Sequence, residues 1–214
     1  MKRNIQYILL AIIVCFACQT SAEALTIKDL LREMPDSIFP SLSKNNRLDF
    51  IDFFENDMKA EVVNALKGKT VCTELTDNMC RIDLSELTKV EMRILTRTDG
   101  ENVICIVHSS KLPQGWDSSF RFYDTQWNRL NTSDFVEIPT TEQFIPQPVD
   151  MSSSDYQNML AKAAAPLVFA SFENDKATLN LTYTSSNANE EDFKQQVLQY
   201  VKPQQTLTLK NIQQ

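Results

Sequence analysis

Along the chain, the apolar positions first keep a helical period and then a strand period. Thr26 with Asp29 opens a short helix over residues 27–34, which Pro35 stops. Residues 43–58 predict the longest helix, on which Phe50, Phe54 and Met58 stack as one stripe with Leu48 and Ile51 beside them. A further helical stretch over 60–66 ends at Gly68. From residue 70 the period becomes two, predicting strands near 70–75, 80–84, 90–95, 103–108, 118–123 and 135–138. Asp99-Gly100 marks a hairpin turn, and the short connections favour an antiparallel meander.

Periodicity then lapses over residues 139–154, where Pro139, Pro146 and Pro148 mark a connector or subdomain boundary. Ser154 and Gln157 form a capping-box signature for a helix running to about residue 163. Residues 167–172 and 178–184 read as a hairpin around Asn174-Asp175, with Leu179, Leu181 and Tyr183 alternating against threonines and Asn180. Asn189 opens a last helix with Phe193, Val197, Tyr200 and Val201 as its stripe, and residues 206–209 predict a final strand. The pattern predicts an α+β fold: N-terminal helices, a mostly antiparallel meandering sheet, and a C-terminal helix-hairpin-helix-strand segment completing it. The predicted units are residues 1–24, 25–138, the connector 139–154, and 155–214 as part of the same domain or a small subdomain.

Lys2 and Arg3 precede an apolar run over residues 8–17, too short for a bilayer of roughly 30 Å and right for a signal-peptide core. Ala22-Glu23-Ala24 supplies the small residues for a cut after Ala24; a lipobox ending at Cys18 competes, with Cys15 and Phe16 fitting it poorly. Loss of Lys2, Arg3 and Glu23 takes the net charge from −7 to −8. No later segment is long and apolar enough to span a membrane, so an exported, periplasmic or cell-envelope protein is expected.

Composition narrows the chemistry. Three glycines exclude a phosphate-cradling loop or a dinucleotide fingerprint, and a single histidine excludes sites built from paired histidines. The acidic balance argues against nucleic acid as a partner. No cofactor or metal is expected. Cys72, Cys80 and Cys105 remain after processing, and an oxidising compartment permits a Cys72–Cys80 bridge. Placing Val71, Thr73 and Leu75 on one strand face and Cys80, Ile82 and Leu84 on the facing one turns Cys72 away, which favours buried free thiols instead.

Each remaining candidate has a structural reading beside the functional one. His108, at a strand end, would need an orienting acid and a nucleophile to act as a hydrolase base, and Cys105 points to the opposite face. Asp49, Asp52 and Glu55 lie opposite the Phe50–Phe54–Met58 stripe and read as a solvated face. Trp116, Phe122 and Trp127 are candidates for an exposed ligand-facing strand, against simple core packing. Phe50, Phe54 and Met58 would line the cavity of an apolar-ligand carrier if sheet and helices enclosed one.

The run Met34-Pro35-Asp36-Ser37-Ile38, then Asn45-Asn46-Arg47-Leu48-Asp49-Phe50-Ile51-Asp52-Phe53 and Met58-Lys59-Ala60-Glu61-Val62, resembles a Bacteroidales family of exported proteins, domain of unknown function 3256. Val103-Ile104-Cys105, the Phe122-Tyr123-Asp124-x-x-Trp127 stretch and Leu181-x-Tyr183-Thr184 extend the likeness over nearly all the mature chain. The resemblance implies a periplasmic or envelope location and brings no catalytic residue or cofactor. In such envelopes Asp-Ser/Thr-aliphatic sites are glycosylated, and Ser37 in Asp36-Ser37-Ile38 matches. The function expected is non-enzymatic binding of another envelope component, whether protein, glycan or lipid. Carriage of an apolar ligand and hydrolysis through His108 stand as alternatives.

Overall fold

In a computed structural model, the protein is described over residues 24–163, 166–173, 176–186 and 199–213. Residues 1–23 of the predicted signal peptide, the Asn174-Asp175 turn and most of the last predicted helix lie outside these residues. The elements run α1 (Ile27–Glu33), α2 (Lys44–Glu55), β1 (Glu61–Val63), β2 (Lys69–Leu75), β3 (Met79–Ser85), β4 (Thr88–Thr96), β5 (Asn102–Leu112), β6 (Gly115–Asp124) and β7 (Arg129–Leu130). A 3-10 turn (Thr132–Asp134), α3 (Thr141–Phe144), α4 (Ser153–Ala163), β8 (Pro166–Phe172), β9 (Thr178–Ser186) and β10 (Gln204–Thr208) follow.

β1 to β7 form one seven-stranded antiparallel meander in sequence order, and β10-β9-β8 form a separate three-stranded sheet. Alternation along the large sheet sorts its side chains onto two covered faces. Cys80, Ile82, Val90, Met92, Ile104 and Ile106 pack under α1 and α2. Cys105, Val107 and Phe122 face the small sheet and α4, meeting Tyr156, Met159, Ala170, Phe172 and Leu181. The fold is α+β, with helices, large sheet and small sheet stacked in that order.

The predicted cap of α1 forms: Thr26 and Asp29 make a reciprocal capping box. Arg47 of α2 is wholly buried, yet every arm of its guanidinium has an acceptor. It donates to the Leu31 carbonyl at 3.0 Å, the Leu42 carbonyl at 2.8 Å, the Met34 carbonyl and the Asp36 carboxylate. It thereby ties off the end of α1, where carbonyls lack helical partners.

Four local predictions need correction. α2 stops at Glu55, because Asp57 turns into the left-handed region at φ 53°, so Met58 leaves the stripe. Residues 60–66 are not helical: the β-branched Val62 and Val63 pair with β2, whose edge would otherwise lack a partner. Asn64 then closes a turn, its side-chain oxygen accepting from the Leu66 and Gly68 amides. Residues 135–138 form no strand; Phe135 and Val136 are buried from an irregular segment while Ile138 is 67% exposed. The cap of α4 is Ser152, accepting from the Asp155 amide at 3.1 Å, rather than Ser154.

Candidate functional site

An edge strand presents a row of backbone groups without partners. β8 is such an edge, and the large sheet meets it with side chains instead of another strand. The amides of alternate residues Val168, Ala170 and Phe172 donate to Asp117 Oδ1 at 3.3 Å, Ser118 Oγ at 2.9 Å and Glu91 Oε2 at 2.8 Å. Ser171 Oγ adds a bond to Glu91 Oε1 at 2.6 Å. In return Arg81 Nη2 donates to the Phe172 carbonyl at 3.1 Å and Arg93 Nη1 to the Glu173 carbonyl at 2.8 Å. Arg81 is itself held by Glu74 and Glu91. Backbone polarity is satisfied without strand pairing, and the small sheet is fixed to the large one.

Beside this seam lies a cleft of about 380 Å³. Asp117, Ser118 and Phe120 of β6 form one wall, residues 138–142 another, and Pro166 and Val168 of β8 with Leu181 of β9 the third. Its size falls in the roughly 300–1,000 Å³ range of small-ligand sites, and its lining is mostly apolar with a few polar groups. Ile138, one of the lining residues, is 67% exposed. Asp117 and Glu142 bring two carboxylates. Hydrogen bonds from its own backbone amide and from the Thr140 hydroxyl hold Glu142 below the usual carboxylate range, so it is ionised at neutral pH.

The sequence candidates are scattered around this cleft, not gathered in it. Trp116 is the nearest, one residue before Asp117; its ring meets Phe169 edge-on at 5.9 Å, with Lys89 Nζ 5.9 Å from its centroid. Phe122 is fully buried and stacks on Phe135 at 4.5 Å. Trp127 packs against Tyr123 on the helix-covered side, and its buried Nε1 has no hydrogen-bond partner among the described residues. Phe50 is fully buried, Phe54 is partly so, and Met58 is 58% exposed beyond the helix end. These three sit on the opposite side of the large sheet from the cleft. The cleft itself was missed because its walls come from β6, residues 138–142 and β8–β9, and the local signals at Phe120, Pro139 and Leu181 do not say that these segments meet.

Cys72 and Cys80 are thiols whose Sγ atoms lie 3.6 Å apart. The sequence reading turned Cys72 away; a bulge at Thr73 reverses that. Cys72 pairs with Ile82 and Leu75 with Cys80, so both cysteines face α1 and α2. The Cys72 contact and burial push the Cys80 thiol well up. Cys105 occupies the other face and is also pushed up, by burial and then by the Glu91 charge. His108 is half-buried on the helix-covered face, its pKa lowered by burial first and by Arg121 second. Ser37 lies exposed in the turn after α1, next to the Asp36 carboxylate that pairs with Arg47 at 2.8 Å. Asp49, Asp52 and Glu55 are exposed, as their wheel position predicts. Among the described residues no group of three His, Cys, Asp or Glu side chains is placed to hold a metal ion.

A family model described as a protein of unknown function, DUF3256, matches residues 19–213. The chain belongs to that family. A solved structure similar to this DUF3256 chain is described as a domain of an uncharacterized protein from Porphyromonas gingivalis W83. It superposes with a TM-score of 0.68 at 25% identity, covering 84% of this chain and 90% of that one. No curated protein matches the sequence. Among the described residues no helix is long and apolar enough to cross a membrane.

Proposed function

We propose that this DUF3256 protein is exported to the cell envelope and acts there as a non-enzymatic binding protein. Its binding site is the cleft between β6, the connector and the β8–β9 hairpin. The observation that carries this reading is the cleft's make-up: Phe120, Ile138, Val168 and Leu181 line about 380 Å³ of open space. That space admits an apolar group of another envelope component, where a close-packed core would leave no room. The apolar-ligand reading of the sequence thus moves from the helix side of the large sheet to the small-sheet side. Export rests on the basic start, short apolar core and Ala22-Glu23-Ala24 site, and predicts a mature chain beginning at Leu25. In that compartment Cys72 and Cys80 join, passing two electrons and two protons to a disulfide of the export machinery. Ser37 is exposed and accessible to glycosylation there.

The test uses the neutral apolar dye N-phenyl-1-naphthylamine with the mature chain. Dye fluorescence rises on uptake into the cleft, and Val168→Trp, which fills it, abolishes the rise. Ile138→Glu, at an exposed position that does not burden folding, weakens it. Undiminished uptake by both variants refutes the site. Mass spectrometry of protein purified from the envelope checks export: a first residue of Leu25 supports it, and an intact residue 1 refutes it.

A further inference from the structure

We propose that the cleft selects amphipathic cations: ligands with one apolar chain or ring ending in a protonated amine. This rests on the cleft being the binding site. Its apolar walls are Phe120, Ile138, Val168 and Leu181, and its ionisable lining is Asp117 and Glu142. Among the described lining residues there is no lysine, arginine or histidine, and neither carboxylate makes an ion pair with a described residue. Asp117 spends Oδ1 on the Val168 amide, while its Oδ2 has no donor among the described residues. Glu142 stands at the start of α3 and is ionised at neutral pH, as derived above.

Nearby cations on the large sheet are already committed. Arg81 and Arg93 donate to the β8 carbonyls, and Lys89 pairs with Asp83 at 3.4 Å beside the Trp116 ring. A ligand that buries its tail in the cleft therefore leaves its head near the Asp117 and Glu142 carboxylates, neither of which is ion-paired with a described residue. An ammonium head gains from both; a carboxylate head is repelled by both. The Thr141 hydroxyl lines the same space and offers a hydrogen-bond partner to either kind of head, whereas the Ser118 and Thr140 hydroxyls are already engaged with the Ala170 amide and with Glu142.

The experiment holds the tail constant and changes the head. Octylamine, octanol and octanoate displace N-phenyl-1-naphthylamine from the mature chain at neutral pH and low salt. Octylammonium is expected to displace the dye about tenfold more tightly than octanol, with octanoate weakest, and 0.5 M salt to narrow the spread, because exposed charges are screened. Glu142→Gln, which touches no packing, reduces the amine preference. Asp117→Asn with Glu142→Gln brings the three ligands together. Octanoate binding as tightly as octylammonium, or a preference that survives the double variant, overturns the charge selection. If the three ligands bind alike and Val168→Trp abolishes them, the cleft stands and the charge selection falls. If Val168→Trp binds them as wild type does, both fall.

Discussion

Glu91 is the residue on which the attachment of the small sheet most depends. Its side chain is 11% exposed and accepts from Ser171 Oγ at 2.6 Å and the Phe172 amide at 2.8 Å, with Arg81 Nε at 3.3 Å. Glu91→Ala leaves the amide of Phe172, a residue 3% exposed, without a partner. An orphaned buried donor costs about 1–3 kcal/mol. Arg81 keeps Glu74 but loses its more buried partner, which adds on the order of 1–2 kcal/mol. The expected loss is about 3–4 kcal/mol for alanine. Glu91→Gln keeps the shape and an acceptor for the Phe172 amide, and loses about 1–2 kcal/mol by giving up charge assistance and turning an amide towards Arg81. Urea unfolding of the mature chain measures both, with hydrogen exchange at Phe172 as the local readout. A Glu91→Ala variant within about 0.5 kcal/mol of wild type, or a glutamine variant as damaged as alanine, would refute the argument.

The proposed Cys72–Cys80 bridge would make envelope-purified protein two hydrogens lighter, leave Cys105 as the only alkylatable thiol after unfolding, and stabilise by about 2–3 kcal/mol through its short loop. Two alkylatable thiols at 72 and 80 would sink it. His108 titrates below its ordinary value of 6.5 in the folded state, with burial as the first cause. The unfolded chain therefore takes up a proton first as pH falls, so folding stability drops as pH goes down through 6.5 towards the folded value. His108→Gln removes that drop in paired denaturant titrations at pH 7.5 and 5.5, and a wild type that gains stability on acidification contradicts the assignment. Val168→Trp and the octyl series, described above, test the cleft and its charge.

The meander was readable because strand alternation and turn residues are local: Asp99-Gly100 turns where expected, with Gly100 at φ +92°. Local signals also failed locally. The bulge at Thr73 adds one residue to β2 and moves Leu75 onto the same face as Cys72, a change no alternation pattern can announce. Residues 60–66 carry a helical pattern, yet the free edge of β2 recruits Glu61–Val63 as a strand. The cleft was unreadable for a different reason. The side chains that seat β8 act across 51 to 91 residues of sequence, from Asp117 with Val168 to Arg81 with Phe172. Such contacts leave polar residues at strand positions, where composition alone reads them as surface.

Because the cleft's walls belong to two layers, a ligand bound at the proposed site would also be a rivet between them. A ligand that touches Phe120 on one side and Val168 and Leu181 on the other binds only while the layers are docked. By linkage, whatever tightens the seam raises affinity, and occupancy disfavours opening of the seam by the same free energy. A partner that pulled β8 away from Asp117, Ser118 and Glu91 would break the seam and empty the cleft in one movement.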